Sequence, residues 1–308
     1  MNSRWSTNPI RRGGQLVSIR PNVAGDIEIL KCLGRYSVLT AEDIAALTKR
    51  SYGAVIARLN LLKREPNRFI QVHRSQTESP RLYQWSAQAL HLTNKGIAKL
   101  QEIGFEVAQR EPSTHFIHAL TESQTAASFE IGVRERLIPF SEILNSPSTP
   151  KALAKSGDHS IPVAFSYKGK DYNYNLTPDG RPFGIAYSDD TYRFCGFETD
   201  CASEPLVSSN RDRQAIETKL AAYLTVLERG LYQTHFGLPN LTVLFTSTTK
   251  TRVENMIALL ASMSTRYLNC FGFQVFPTII SGSKQPEPGW AVKRPWTQVR
   301  GHLNLGEA

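Results

Sequence analysis

The chain of 308 residues carries 36 Lys and Arg against 27 Asp and Glu, a formal net charge of +9, and is 41% hydrophobic. Residues 1–111 hold 17 basic against 9 acidic residues, a net +8, whereas residues 112–308 hold 19 against 18, a net +1. This composition excludes a disordered chain or a simple basic tail, and the uneven charge points to a polyanion binder joined to a near-neutral body.

The length allows about two domains, each able to bury a core. Cys32, Cys195, Cys201 and Cys270 form no close pair, so neither a disulfide scaffold nor a structural zinc site is expected. No apolar stretch follows the charged start, and the longest apolar run, Met256–Met263, is far below the ~20 residues that span a membrane. A cytoplasmic protein is the expectation.

Residues 1–24 show little periodicity and are expected to form a flexible basic arm. A first helix fits Asp26–Leu33, with Gly34 as its stop. Thr40 is placed to cap a second helix, with Asp43 three residues on in the reciprocal capping position. After a tight turn at Thr48–Arg50, Ser51 caps a third helix running to about Arg64, whose Val55, Ile56, Leu59 and Leu62 recur at helical spacing. Two short helices joined by a three-residue turn form the helix-turn-helix pattern.

Phe69–His73 and Leu82–Leu92 are predicted strands flanking the polar segment RSQTESPR, a loop of the size of a wing. Thr93 caps a last helix, Asn94–Ile103. Residues 25–111 are therefore expected to form a winged helix-turn-helix domain. Its third helix would enter the major groove of duplex DNA, with Lys49, Arg50, Ser51, Tyr52, Arg58, Arg74 and Arg81 at phosphates and base edges. A protein–protein module is the alternative for the same pattern.

Ser113–Leu120 and Thr125–Leu137 carry helical patterns, the second containing Glu130, and residues 141–160 are expected to be a loop. A meander follows at Ile161–Tyr167, Tyr172–Leu176, Pro182–Tyr187 and Tyr192–Thr199. A long helix at Arg211–Gly230, a strand at Leu241–Phe245, a helix at Thr251–Ser262 and a strand at Phe271–Phe276 complete residues 112–280. The order predicts an α/β domain with a mixed central sheet and no dinucleotide-binding glycine motif. Residues 281–308 are expected to drape over the surface, with Trp290 and Trp296 beside Lys293 and Arg294 as a candidate contact for nucleic acid or a partner.

Within this body, Pro178-Asp179-Gly180 places a carboxylate at a turn, and Glu198 and Asp200 share one face of a strand by parity. Clustered carboxylates repel unless a cation lies between them or one is protonated, and Mg²⁺ or Mn²⁺ suits oxygen ligands. Such an ion would activate water against a phosphodiester. Lys219 of the long helix is a candidate to reach the same end of the sheet. The plain alternative is that Pro-Asp-Gly is a favoured turn. His115 and His118 have a spacing that holds metals but no matching further ligand.

The segments LTPDGRPFGIAY, YRFCGFETDCASEP and IETKLAAYLTVL resemble the replication-relaxation family of plasmids and mobile elements, from about Asp26 to Phe276. The resemblance implies an N-terminal winged helix and a restriction-endonuclease-like C-terminal domain. It further implies Asp179 and Glu198 as catalytic metal ligands, with Glu130 as an additional ligand. The nuclease pattern wants lysine two residues after the glutamate, where this chain has Asp200. Either Lys219 substitutes for it, or the domain has kept a nuclease shape without the chemistry.

The expectation is a DNA-binding protein of a plasmid or mobile element, acting in replication, relaxation or conjugative transfer, with a degenerate nuclease-like domain. Double-stranded DNA, a relaxase or replication protein, and a second copy of the chain are the expected partners. An active Mg²⁺- or Mn²⁺-dependent endonuclease and a winged-helix transcriptional regulator are the alternatives.

Overall fold

The computed structural model describes residues 11–12, 15–16, 18–19, 24–79, 87–107, 115–202, 204–208, 215–263, 265–276 and 286–306. They gather into two compact units, residues 1–131 with 278–289 and residues 132–277 with 290–308. No helix among the described residues is long and apolar enough to cross a membrane.

In the first unit, Arg11–Arg12 (β1) and Gln15–Leu16 (β2) form a short antiparallel pair in the stretch expected to be an arm. The first helix, α1, spans Ala24–Tyr36 and runs through Gly34, which was expected to stop it. Gly34 is needed inside the helix because a Cβ there would lie 2.9 Å from the side chains of Leu100 and Phe105.

Helix α2 (Ala41–Thr48) opens with the anticipated reciprocal cap. Thr40 Oγ1 accepts the Asp43 backbone N–H, and Asp43 Oδ2 accepts that of Thr40 at 3.1 Å. Lys49, in the left-handed region at φ 54°, ends it. Ser51 then caps α3 (Tyr52–Lys63), accepting from Ala54 N–H. Val55, Leu59 and Leu62 of α3 join Ile44 of α2 and Ile29, Leu30 and Leu33 of α1 in one core.

Strands β3 (Ile70–Val72) and β4 (Leu90–Leu92) pair antiparallel, followed by α5 (Asn94–Glu102). The start of the expected wing loop is instead a short helix, α4 (Arg74–Glu78). Gln76 explains it: buried, its amide donates to Ala87 O and accepts from Ala89 N–H, both at 2.8 Å, so one side chain supplies the pairing that a wing strand would make. Leu82 to Ser86, expected to begin a strand, lie outside the described residues.

One helix, α6 (Phe116–Val133), replaces the two segments expected between Ser113 and Leu137. Its intervening polar residues contain no breaker, and Thr121 Oγ1 bonds back to Ile117 O at 2.7 Å. The division between the units falls within it, after Ile131, where the sequence suggests a boundary at 111.

The second unit contains a seven-stranded mixed sheet. Residues 140–144 (Phe140–Leu144, α7) and 151–156 (Lys151–Ser156, α8) are helical rather than loop, behind Pro139 and Pro150 at their N-caps. Of the expected meander, β6 (Ile161–Tyr167) and β7 (Lys170–Leu176) pair only with each other in a separate hairpin. Lys168 and Gly169 turn it with positive φ of 50° and 72°.

The sheet comprises β5 (Leu137–Ile138), β8 (Gly180–Ala186), β9 (Tyr192–Asp200), β10 (Thr242–Ser247), β11 (Phe271–Val275), β12 (Trp296–Thr297) and β13 (His302–Leu303), in the order 13-12-11-10-9-8-5. Strands β9, β10 and β11 are parallel, and the flanking pairs are antiparallel. The crossovers carry α9 (Ile216–Glu228) with α10 (Leu231–Phe236), and then α11 (Lys250–Ala261).

All six residues of β10 and the last six of β9 are buried, as expected for central strands covered on both faces. Residues 290–306 of the expected tail are integral to this unit rather than draped over it. Trp290, in α12 (Trp290–Lys293), and Trp296 are both buried, and Trp296 Nε1 donates to Ala291 O at 2.7 Å. The tryptophans expected to contact a ligand are core residues, whereas Lys293 and Arg294 of the same expected contact are exposed.

His91 on β4 is buried beside His73, with Gln71 Nε2 at 3.3 Å from its Nε2. Burial, reinforced by His73, lowers its pKa to about 4. The neutral ring is thus favoured in the folded state, so stability is complete above the ordinary value near 6.5 and is lost as pH falls from there towards 4. Urea denaturation at pH 7 and pH 4.5 is expected to show a fall to which His91 contributes on the order of 2 kcal/mol. His91→Gln should remove that share, and an unchanged pH dependence in this variant would contradict the assignment.

Candidate functional site

The expected DNA-contacting residues divide by their partners. Asp26, only 1% exposed at the start of α1, draws Arg58 into a bidentate pair, Nε to Oδ1 at 2.8 Å and Nη2 to Oδ2 at 2.5 Å. Arg50 is half-buried and donates from Nη1 to Gly25 O at 3.2 Å. Both arginines fasten α3 and its turn to α1. The Arg58 guanidinium is held by a buried carboxylate, whereas Arg50 makes one bond to a backbone carbonyl.

Lys49, Ser51 and Tyr52 are exposed, Tyr52 by 50%. Beside them the N-terminal half of α3 shows Gly53, Ala54 and Ala57, also exposed. A Cβ at Gly53 would meet nothing within 4 Å. Arg74 is exposed at the start of α4, and Arg81 lies outside the described residues.

The carboxylates of the second unit lie at the end of β9. Asp179 directly precedes β8, and its Oδ2 accepts the Thr199 N–H at 2.6 Å. Asp179 lies in the bend expected before a strand, and Gly180 already belongs to that strand, pairing with Phe197, whose ring would lie 1.7 Å from any Cβ at this position. Glu198 is buried, with Oε2 taking a proton from Lys219 Nζ at 2.9 Å and Oε1 from Tyr223 Oη at 2.5 Å. Lys219 and Tyr223, four residues apart on α9, share the helix face that meets β9.

Burial pushes Glu198 up to about 8, against the pull of Lys219. Burial works against the Lys219 ammonium too, but Glu198, Asp179 and Glu204 outweigh it and hold the proton more tightly than usual. The Tyr223 hydroxyl is likewise raised by burial and by Glu198. Asp179, Glu198 and Lys219 therefore act as one charge-coupled cluster, as the sequence suggested for these three.

Asp200 is not part of it. Arg252, in the first turn of α11, holds Asp200 through Nε to Oδ2 and through Nη2 to Oδ1 at 2.8 Å, and Ser247 Oγ donates to Oδ2 at 2.7 Å. The expected catalytic role of Asp200 is corrected to an anchor between β9, β10 and α11. Glu130 is also removed from the expected metal set: in the first unit it accepts from Tyr36 Oη and pairs with Arg35 at 3.1 Å. His118 Nδ1 lies 3.7 Å from Glu122.

This donor set does not fit a divalent cation. Both oxygens of Glu198 are engaged, Asp179 already binds backbone, and among the described residues no group of three or more His, Cys, Asp or Glu is placed to hold a metal ion.

No protein-family model matches the chain, and neither a curated protein nor a solved structure matches it.

Sequence reasoning missed Arg252, Ser247 and Asp26. Each pairs with a residue 32 to 52 positions away, so no local spacing announces it. Arg252→Ala would leave the Asp200 carboxylate buried without its cation. A loss of about 3 kcal/mol in urea denaturation is expected, with partial recovery when Asp200→Asn is added. Equal stability of wild type and Arg252→Ala would remove the anchoring role.

Proposed function

We propose that the chain is a duplex-DNA-binding protein whose first unit works as a winged helix-turn-helix and whose second unit is a nuclease-like domain without nuclease chemistry. The observation that carries the first part is the exposed N-terminal half of α3, Lys49, Ser51 and Tyr52 beside the small Gly53, Ala54 and Ala57, in the part of the chain that holds a net +8. Small side chains let a helix backbone approach a groove floor closely, and a lysine, a hydroxyl and a phenol at the helix start supply contacts to phosphate and base edges.

The second part is supported by the commitments of Glu198 and Asp200, which leave no open cation site at the end of β9 among the described residues. The resemblance of the Asp179, Glu198 and Lys219 segments to the replication-relaxation family favours a role at plasmid or mobile-element DNA, in replication, relaxation or transfer. A relaxase or replication protein, and a second copy of the chain, are the partners this role calls for. An active metal-dependent endonuclease is the second reading, favoured by the charge coupling of Asp179, Glu198 and Lys219.

Duplex affinity is expected to fall steeply with salt, with Lys49→Gln reducing the log–log slope by about 1 and Tyr52→Ala weakening binding without loss of stability. Arg58→Gln is expected to act through stability. Salt-independent binding, or no binding, would reject the reading. Incubation of duplex, nicked and branched DNA with Mg²⁺ and with Mn²⁺ is expected to leave all three intact. Cleavage that Asp179→Ala abolishes would establish the endonuclease instead.

A further inference from the structure

Beneath the exposed tip of α3 the first unit contains a cleft of about 240 Å³ between the side of this helix, the start of α2 and the approach to β4. Its apolar wall is Ile56, Leu59 and Leu90, and Tyr52 stands at one end. Lys63, the last residue of α3, lines the cleft and is only 6% exposed.

A buried ammonium ordinarily has an acidic partner. Lys63 has instead the neutral Gln88, whose Oε1 accepts from Nζ at 2.7 Å, so two of its three N–H bonds have no partner among the described residues. Burial and then the neighbouring Arg64 guanidinium lower its pKa to about 8. Arg64 lines the same cleft, and its Nε is buried without a hydrogen-bond partner. On the acidic side, Glu42 Oε2 is also buried and unpartnered in the cleft, available to a donor on a ligand, yet it forms no ion pair with Lys63.

We propose that this cleft binds a small organic anion. A carboxylate or phosphate oxygen takes the unspent N–H groups of Lys63 and the Nε–H of Arg64, and an apolar or aromatic body lies against Ile56, Leu59 and Leu90. The ligand supplies the negative charge that the fold withholds, which strengthens each hydrogen bond in a place shielded from water. The size is that of a compact ligand with a single ring rather than of a nucleotide or peptide. The inference rests on Lys63 and its cleft, not on the DNA-binding reading, and it stands or falls separately.

Benzoate is a suitable probe, with benzyl alcohol as its uncharged counterpart and inorganic phosphate as the charge without the ring. In the full chain labelled with ¹³C-lysine, benzoate is expected to shift the Lys63 Cε resonance saturably and to raise its titration midpoint above about 8. Benzyl alcohol should do neither, and phosphate should bind more weakly than benzoate. Affinity for benzoate should decline as pH rises through 8, where the free ammonium loses its proton.

Lys63→Met, which keeps the chain length and removes the charge, is expected to weaken benzoate binding by about tenfold or more. Arg64→Gln, at a partly exposed position, should weaken it severalfold and serves where Lys63→Met perturbs folding. Lys49→Gln, on the exposed surface, should leave it unchanged. A Lys63 resonance that benzoate does not move, or benzoate binding that survives both Lys63→Met and Arg64→Gln, would overturn the proposal. Phosphate binding without benzoate binding would overturn the organic part of it.

Discussion

Strand β9 is covered on both faces, yet its last three residues are Glu198, Thr199 and Asp200. Charges carried into such a place must be neutralised there, because water cannot reach them and each unpaired carboxylate costs several kcal/mol. The second unit is arranged around this constraint. Lys219 and Tyr223 of α9 close on Glu198, Ser247 of β10 and Arg252 of α11 close on Asp200, and Asp179, just before β8, takes the N–H of Thr199. Helices α9 and α11 thus each have a polar contact with the same strand end, in addition to their apolar packing.

The same rule shapes the first unit. Asp26 is buried and satisfied by Arg58, and Asp43 is buried and satisfied by Thr40 and Gln124. Arginine is suited to the first of these because its planar fork meets a carboxylate with two bonds at once. The consequence for function is that Arg58 and Arg50, beside α3, are engaged in holding the fold, while Lys49 is exposed at the turn. Lys63, like Asp43, has a neutral partner, Gln88, and no anion among the described residues.

Much of the local structure was legible in the sequence because it depends on neighbours. The Thr40 and Ser51 caps, the apolar period of Val55, Leu59 and Leu62, and the strand at Tyr192 to Asp200 all follow from residues within a few positions of each other. Where local rules failed, a distant residue decided. Gly34 stays helical because Leu100 and Phe105 crowd it, Gly180 lies in a strand because the Phe197 ring occupies the place of its Cβ, and the segment after His73 coils because Gln76 finds Ala87 and Ala89. The tail was misjudged because Pro and Gly mark turns, but Trp290 packs against Phe276 and Trp296 lies beside Gly272 of β11.

By itself the sequence determined the two-part division of charge, the alternation of helices with strands in the second part, and the shared parity of Glu198 and Asp200 on one strand, with Asp179 at a bend and Lys219 on the long helix as candidates to join them. Only the tertiary structure decided what those groups face. Parity puts Glu198 and Asp200 on one side of a strand, but whether a carboxylate meets a cation of the protein or an open site is fixed by the helix that packs above it. A period of two residues carries no information about that helix. The arginine that pairs with Asp200 and the neutral glutamine that accepts from Lys63 are both consequences of packing at a distance.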